Sequence, residues 1–469
     1  MNKITINEIK KITPIISSFN VSDIEVFDYL KIVDLNKVPY EKRADNVLFF
    51  FSYPTREELS NGWYTKNFDL RPKCKSFFNK FPEYTFVIEK DMQKIVTDNN
   101  LKYIVVENIR TMLTDIYNYV LKKNKAKVIA FTGSVGKTTA VGLMESILKQ
   151  KYNVLRIYSK RITPIVLQAN IINFFDENVD YIVVENSLYY SNHIKTLNNM
   201  LKNDIVAILN IKSIHIGIEK IRSIDDVCIY KTDIMRHAKD AYLNLDNIYL
   251  QKLSVDSGNV MYDKKTLFKN KKLKIHGITN DRIKILDDKF LIDDRVLITP
   301  FVTSSLSMIQ YLICYDIAKK EGLSDDQIVK GMNGYIPVEN RLHKEKAFEK
   351  EIFFDGDITT YSRMHELSNI IATKKYLVLR KVGSAERGIG MEKIINFFDR
   401  FHKVFLFSDI EYLEELKGKN NVVIVENHDF MKNLDGVIVY HYSGYYRVWD
   451  KFLEQNLNIY DREKYVIKK

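Results

Sequence analysis

The heptapeptide Gly133-Ser134-Val135-Gly136-Lys137-Thr138-Thr139 restricts the fold of this chain more than any other stretch. The run before it, Lys127-Val128-Ile129-Ala130-Phe131-Thr132, is apolar and reads as a buried strand. Residues Ala140 to Leu148 read as a helix. Strand, glycine-rich turn and helix N-terminus, in that order, make an anion cradle. Backbone N–H groups and the helix dipole face the anion, and Gly136 lets the backbone come close. In such a cradle Lys137 supplies a point charge to the β- and γ-phosphates, and Thr138 offers its hydroxyl to Mg²⁺. Gly133 to Thr139 therefore predict a bound nucleoside triphosphate, ATP with Mg²⁺. A glycine turn before an ordinary helix is the plainer alternative.

The heptapeptide opens a repeated alternation. Predicted strands at 127–132, 153–157, 180–185, 204–209 and 241–245 are separated by predicted helices at 137–150, 164–175, 191–202 and 223–238. Repeated β-α units with short apolar strands imply a parallel sheet covered on both faces, with ligands beyond the strands' carboxyl ends. Residues 259–299 read as short antiparallel strands, and 304–321 and 325–333 as helices. After Arg341 the alternation restarts, with strands at 351–355, 375–380, 403–408, 421–425 and 436–441. Helices are expected between them at 362–373, 391–401 and 410–416, and at 445–455. At 469 residues the chain exceeds a single core. The expected domains are 1–125, 126–340 and 341–469, in an α/β fold.

Composition excludes several classes. Hydrophobic content of 46% and charged content of 28% are those of a globular protein, and no apolar run approaches a membrane span. The N-terminus lacks the apolar core of a signal peptide, so a cytoplasmic location is expected. Cys74, Cys228 and Cys314 are too scattered for a metal motif and read as packed thiols. The net charge of +11 is spread along the chain without a basic tail, which suits anionic small ligands better than nucleic acid.

Other candidates lie at predicted strand ends. Glu185, before Asn186-Ser187, is a natural Mg²⁺ ligand or a plain loop carboxylate. His215 follows Asn210 by five residues and reads as a second-metal ligand or a packed histidine. Lys231 on its helix reads by itself as a solvated lysine. Asn244 and Asp246 suit a nucleotide's ribose or base, or equally the cap of a turn.

The order of these motifs resembles the central domain of the Mur ligases. The run is G-S-V-G-K-T-T, V-V-E-N, I-L-N-I with a nearby histidine, Y-K-T-D-I, then L-N-L-D-N. Tyr103 to Asn108, Glu339-Asn340-Arg341-Leu342 and Phe353-Phe354-Asp355-Gly356-Asp357 are similar to further stretches of that family. The resemblance implies three domains: an N-terminal acceptor domain, a central phosphate-loop ATP domain and a C-terminal Rossmann-like domain. It also implies an activity. A substrate carboxylate takes the γ-phosphoryl group of ATP, an amine attacks the acyl phosphate, and phosphate leaves.

On this resemblance Lys137 stabilises the migrating phosphoryl charge, and Thr138 and Glu185 hold Mg²⁺. His215 holds a second ion, and Lys231 matches a lysine that becomes a carbamate. Asn210 lies at the adenine side, while Arg341 with Asp355 or Asp357 closes over ATP. The implied partners are an anionic UDP-sugar-type carrier and an amino acid or dipeptide, in cell-wall or capsular polysaccharide synthesis.

Departures fall at substrate-reading positions. The family's paired asparagines are replaced by Tyr158-Ser159-Lys160-Arg161, and its His-Asn motif by Val302-Thr303-Ser304-Ser305. Its late K-G-S becomes His441-Tyr442-Ser443-Gly444. A different or diverged acceptor is therefore expected. The alternatives are a phosphate-loop ATPase or kinase without an amide product, and a non-catalytic nucleotide-binding homologue.

Overall fold

The computed structural model describes residues 4–32, 46–60, 68–96, 100–123, 125–157, 162–213, 216–286, 289–298, 305–337, 343–347, 350–356, 360–382 and 390–442. Six parallel strands form the central sheet, in the spatial order Lys274–Ile278, Asp240–Asn244, Ile205–Ile208, Lys127–Thr132, Tyr181–Glu185, Val154–Arg156. Strand side chains alternate between two cores. Val128, Ala130, Ile182, Val184, Val206 and Ile208 point to one. Ile129, Phe131, Tyr181, Val183, Ile205 and Ala207 point to the other. With both faces buried the strands read as unbroken apolar runs, and period 2 is hidden in the sequence.

Helices Lys137–Leu148, Ser305–Lys320 and Asp325–Asn333 pack together over one face. The first and the third approach closely: a Cβ on Gly331 would lie 2.5 Å from the Ile147 Cα. Helices Pro164–Phe174, His193–Met200 and Ile224–Thr232 cover the opposite face. The predicted helix 223–238 is α-helical only to Thr232 and continues as a 3₁₀ turn, Asp233–Met235.

The sheet does not close at 241–245 as the alternation suggests. Lys274–Ile278, inside the stretch read as antiparallel, pairs in parallel with Asp240–Asn244. Two antiparallel three-stranded sheets flank it, Leu253–Asp256 with Asn259–Tyr262 and Lys265–Lys269, and Ile283–Leu286 with Lys289–Ile292 and Val296–Ile298. A short edge strand carries no local mark of its pairing direction, so only the assembled sheet decides it.

The N-terminal segment forms a five-stranded sheet in the order Ser17–Phe19, Lys102–Val106, Thr85–Glu89, Val47–Phe50, Tyr29–Lys31, antiparallel at the first pair and parallel elsewhere. Its core is continuous with one face of the central sheet, running from Ile6 and Phe49 to Val128 and Val206. Asn173, on helix Pro164–Phe174, completes this junction. Its Oδ1 accepts from the Leu30 N–H (2.9 Å) and its Nδ2 donates to the Leu30 carbonyl (3.0 Å), pairing the edge strand as another strand would.

The C-terminal sheet runs His343–Ala347, Lys350–Asp355, Val437–Tyr442, Lys375–Lys381, Lys403–Phe407, Val422–Val425, with one antiparallel pair at the His343–Ala347 edge. Its two faces have separate cores, Leu377 and Leu379 in one, Tyr376 and Val378 in the other. Helix Thr360–Leu367 is shorter than the predicted 362–373, and the predicted helix 445–455 lies outside the described residues. Among the described residues no helix is long and apolar enough to cross a membrane.

Candidate functional site

The phosphate loop leaves the carboxyl end of Lys127–Thr132, whose neighbours Tyr181–Glu185 and Ile205–Ile208 run parallel to it on either side. Successive connections diverge to opposite sides of this strand, so a crevice opens above it. Gly136 caps helix Lys137–Leu148 at φ +84°, a conformation side chains resist, and a Cβ there would drive into the Gln310 amide. The Lys137 Nζ donates to the Gly133 carbonyl at 3.0 Å and the Ser134 carbonyl at 3.2 Å, lying across the cradle. Lys137 and Thr138 open the helix, where its dipole favours an anion.

Glu185 reaches the loop from the adjacent strand end. Its Oε2 accepts from the Thr138 hydroxyl at 2.7 Å, and its Oε1 from the Ser187 hydroxyl at 2.8 Å. Two hard oxygens lie side by side at the rim, the donor set Mg²⁺ takes when phosphates complete its shell. Among the described residues no cluster of three or more His, Cys, Asp or Glu groups stands ready as an all-protein metal cage.

Lys231 overturns its plain reading as a solvated lysine. It has no exposed surface, and its Nζ donates to the Gly133 carbonyl at 2.9 Å, from beneath the loop. Burial, then the Lys137 charge, hold its amine well below the usual lysine range, against the opposing pull of Glu185. Burying a lysine amine without a full compensating anion disfavours its charged form, and this is the cause of the downward shift at Lys231.

Asn210, which the resemblance puts at the adenine side, meets the backbone of the phosphate loop. Its Oδ1 accepts from the N–H groups of Ser134 (3.1 Å) and Val135 (3.0 Å), and its Nδ2 donates to the Val135 carbonyl (3.0 Å). Both ends of the amide are engaged in bracing loop backbone. Asn244 and Asp246 also resolve toward structure. The Asn244 Nδ2 donates to the Leu209 carbonyl at 2.8 Å, and its Oδ1 accepts from the Asp246 N–H at 3.0 Å. The Asp246 carboxylate accepts from the Asn280 N–H at 2.9 Å. These are the turn-capping roles that the sequence left open against ribose or base binding.

Asp355 does not close over the loop. It is wholly buried in the C-terminal domain, with the Arg363 Nη2 at 2.6 Å and the His441 Nδ1 at 2.9 Å. Arg363 also engages Glu366. Burial alone would raise the Asp355 carboxyl, but Arg363 and His441 outweigh it and hold it below the usual carboxylate range. His215, Arg341 and Asp357 lie outside the described residues. Sequence reasoning missed Ser187 as the group orienting Glu185, and Gln310 as the wall against Gly136. Neither belongs to a motif, and both are recognisable only by proximity.

A parallel sheet with a phosphate loop on an inner strand, followed by a Rossmann-like domain, defines the chain as a multidomain phosphate-loop protein. Residues 131–284 match the Mur ligase middle domain. Over these residues the chain is similar to the Mur ligase family. Over 218 residues it is 28% identical to the UDP-N-acetylmuramoyl-tripeptide--D-alanyl-D-alanine ligase of Buchnera aphidicola subsp. Acyrthosiphon pisum, covering 44% of this chain and 46% of that one. The match thus spans less than half the length of this curated relative. MurF from Acinetobacter baumannii superposes with a TM-score of 0.69 at 14% identity, covering 97% of this chain and 98% of the other. The MurF ligase from Thermotoga maritima in complex with ADP gives 0.65 at 16% identity, covering 88% and 94%. These likenesses show that the three-domain Mur ligase fold extends over nearly the whole chain.

Proposed function

We propose that this protein is an ATP-dependent carboxylate–amine ligase, in which residues 126–340 bind ATP, 1–125 the acceptor and 341–469 close the site. The observation that carries the reading is Lys231, an amine buried without exposure against the Gly133 carbonyl, beside Lys137 and Glu185. A phosphate-loop protein needs no such group to bind or hydrolyse ATP. Once deprotonated, the amine can add CO₂, releasing one proton and becoming a carbamate anion. A bound Mg²⁺, held by Thr138 and Glu185, would neutralise charge on the β- and γ-phosphates.

The chain's own residues then divide the work. Loop N–H groups and the helix dipole hold the phosphates, and Asn210 keeps the loop in its open-handed shape. Lys137 moves from the loop carbonyls onto the transferring phosphoryl group and stabilises its charge. The acceptor carboxylate displaces ADP from the γ-phosphorus, giving an acyl phosphate. The amine attacks the acyl carbon, loses a proton, and inorganic phosphate departs. Similarity to ligases named for UDP-N-acetylmuramoyl peptides supports a UDP-linked sugar acid or peptide as acceptor and an amino acid or dipeptide as amine.

The test is ADP release with Mg²⁺ across UDP-sugar carboxylates crossed with amino acids and D-alanyl-D-alanine, with products read by mass spectrometry. ADP formation that requires both partners, together with a new amide mass, is expected. ADP formation independent of any amine would replace the ligase reading with an ATPase or kinase. Tight ATP binding without turnover of any pair would favour a non-catalytic homologue.

A further inference from the structure

Lys212 is two residues beyond Asn210, in the segment that braces the phosphate loop. Its backbone N–H donates to the Ser134 hydroxyl at 2.9 Å, and that hydroxyl lies 3.3 Å from the Lys212 carbonyl as its donor. The lysine backbone is therefore fixed to the loop itself. Its side chain leaves the central domain, and the Nζ meets the His365 Nδ1 at 3.1 Å. His365 stands on helix Thr360–Leu367 of the C-terminal domain, between Arg363 and Glu366 of the buried Asp355 cluster. Its ring meets Phe397 edge-on, with centroids 5.7 Å apart.

Each end of this contact is rigidly mounted, one on the phosphate loop and the other on the ion cluster of the third domain. An ammonium donating to Nδ1 requires a neutral ring with its proton on Nε2. Burial, then the Lys212 and Arg400 charges, push His365 down to about 4, in keeping with that form.

We propose that Lys212 and His365 form a clasp that seats the C-terminal domain over the phosphate loop, and that both are positioning residues for the ligase reaction. This rests on the reading above for its chemistry, but the clasp itself is a statement about domain placement. The bond joins a loop that holds phosphate to a domain that must approach it, so loading of the one is felt at the seat of the other.

The experiment uses the full chain labelled through D326C and E415C, at exposed positions of the two domains. Spin-label distance distributions are recorded with ATP analogue and Mg²⁺. The parent is expected to give one dominant distance. K212M and H365L should each broaden it, and the double variant should broaden it no further. H365N, whose amide oxygen can accept in place of Nδ1, should restore it. With a turning-over substrate pair, K212M and H365L should lower kcat about tenfold with the ATP KM within about twofold, as expected for one charge-assisted hydrogen bond. Unchanged distributions, additive broadening, or an H365N variant as broad as H365L would overturn the clasp. Absence of an amide product with the parent refutes the ligase reading and leaves the distance result standing.

Discussion

Replacing Asn210 by alanine separates two accounts of the nucleotide site. In the structure the side chain makes three hydrogen bonds to the loop, two accepted from the N–H groups of Ser134 and Val135 and one donated to the Val135 carbonyl. At about 1 kcal/mol net for each, N210A removes about 3 kcal/mol of loop bracing. If the whole cost falls on the loaded loop, nucleotide affinity drops roughly 150-fold. Because the brace acts on phosphates, the loss should be the same for ATP, GTP and inorganic triphosphate. An adenine contact would instead weaken ATP alone. N210D retains both accepted bonds but loses the donated one and sets a carboxylate under the anion, so it should bind no better than N210A. Calorimetric titration of the three ligands measures each case. An N210A variant that binds triphosphate normally while losing preference for ATP would refute the bracing argument.

Three further outcomes follow from the same geometry. K231A should lower amide synthesis at least about 100-fold without recovery in bicarbonate, as loss of an electrostatic catalytic group does; full activity would remove the carbamate role. D355N leaves Arg363 and His441 buried without their shared anion and should destabilise the C-terminal domain by about 3–5 kcal/mol, read by denaturant unfolding. His365 and His428 are both pushed down to about 4, each by burial first and then by nearby cations. Between pH 6.5 and 4 the unfolded chain binds protons there that the native state does not, so the melting temperature should fall as pH drops through that window. Replacing both histidines by asparagine should flatten the slope, and an unchanged slope would locate the titration elsewhere.

Local chemistry wrote much of this protein openly. The phosphate loop is legible because its ingredients are contiguous: an apolar strand, a glycine at positive φ, then a helix whose first residues are Lys137 and Thr138. The inner strands of the central and C-terminal sheets are legible because burial on both faces demands unbroken apolar runs, as at Tyr181–Glu185 and Lys403–Phe407. Glu185 comes to lie beside the loop for a related reason. The end of a strand beside the loop strand is fixed once the sheet is parallel, and 2.7 Å to Thr138 follows from that register.

What stayed hidden depends on groups distant in the chain. Lys231 reads as a surface lysine because its short helix shows no clear apolar stripe to place it, and only the tertiary structure, with the loop carbonyl 98 positions earlier, shows that it is buried. Asn210 meets the loop backbone across 75 residues, Asp355 meets His441 across 86, and Lys212 meets His365 across 153. Periodicity reports how one element faces a core, and it carries nothing about which polar group another element brings to that place. The sequence by itself therefore determined the inner strands, the glycine-rich turn and a carboxylate at the neighbouring strand end. The tertiary structure alone decided which amine is dry, which amide braces the loop and which carboxylate is neutralised, because desolvation and hydrogen bonding act through space.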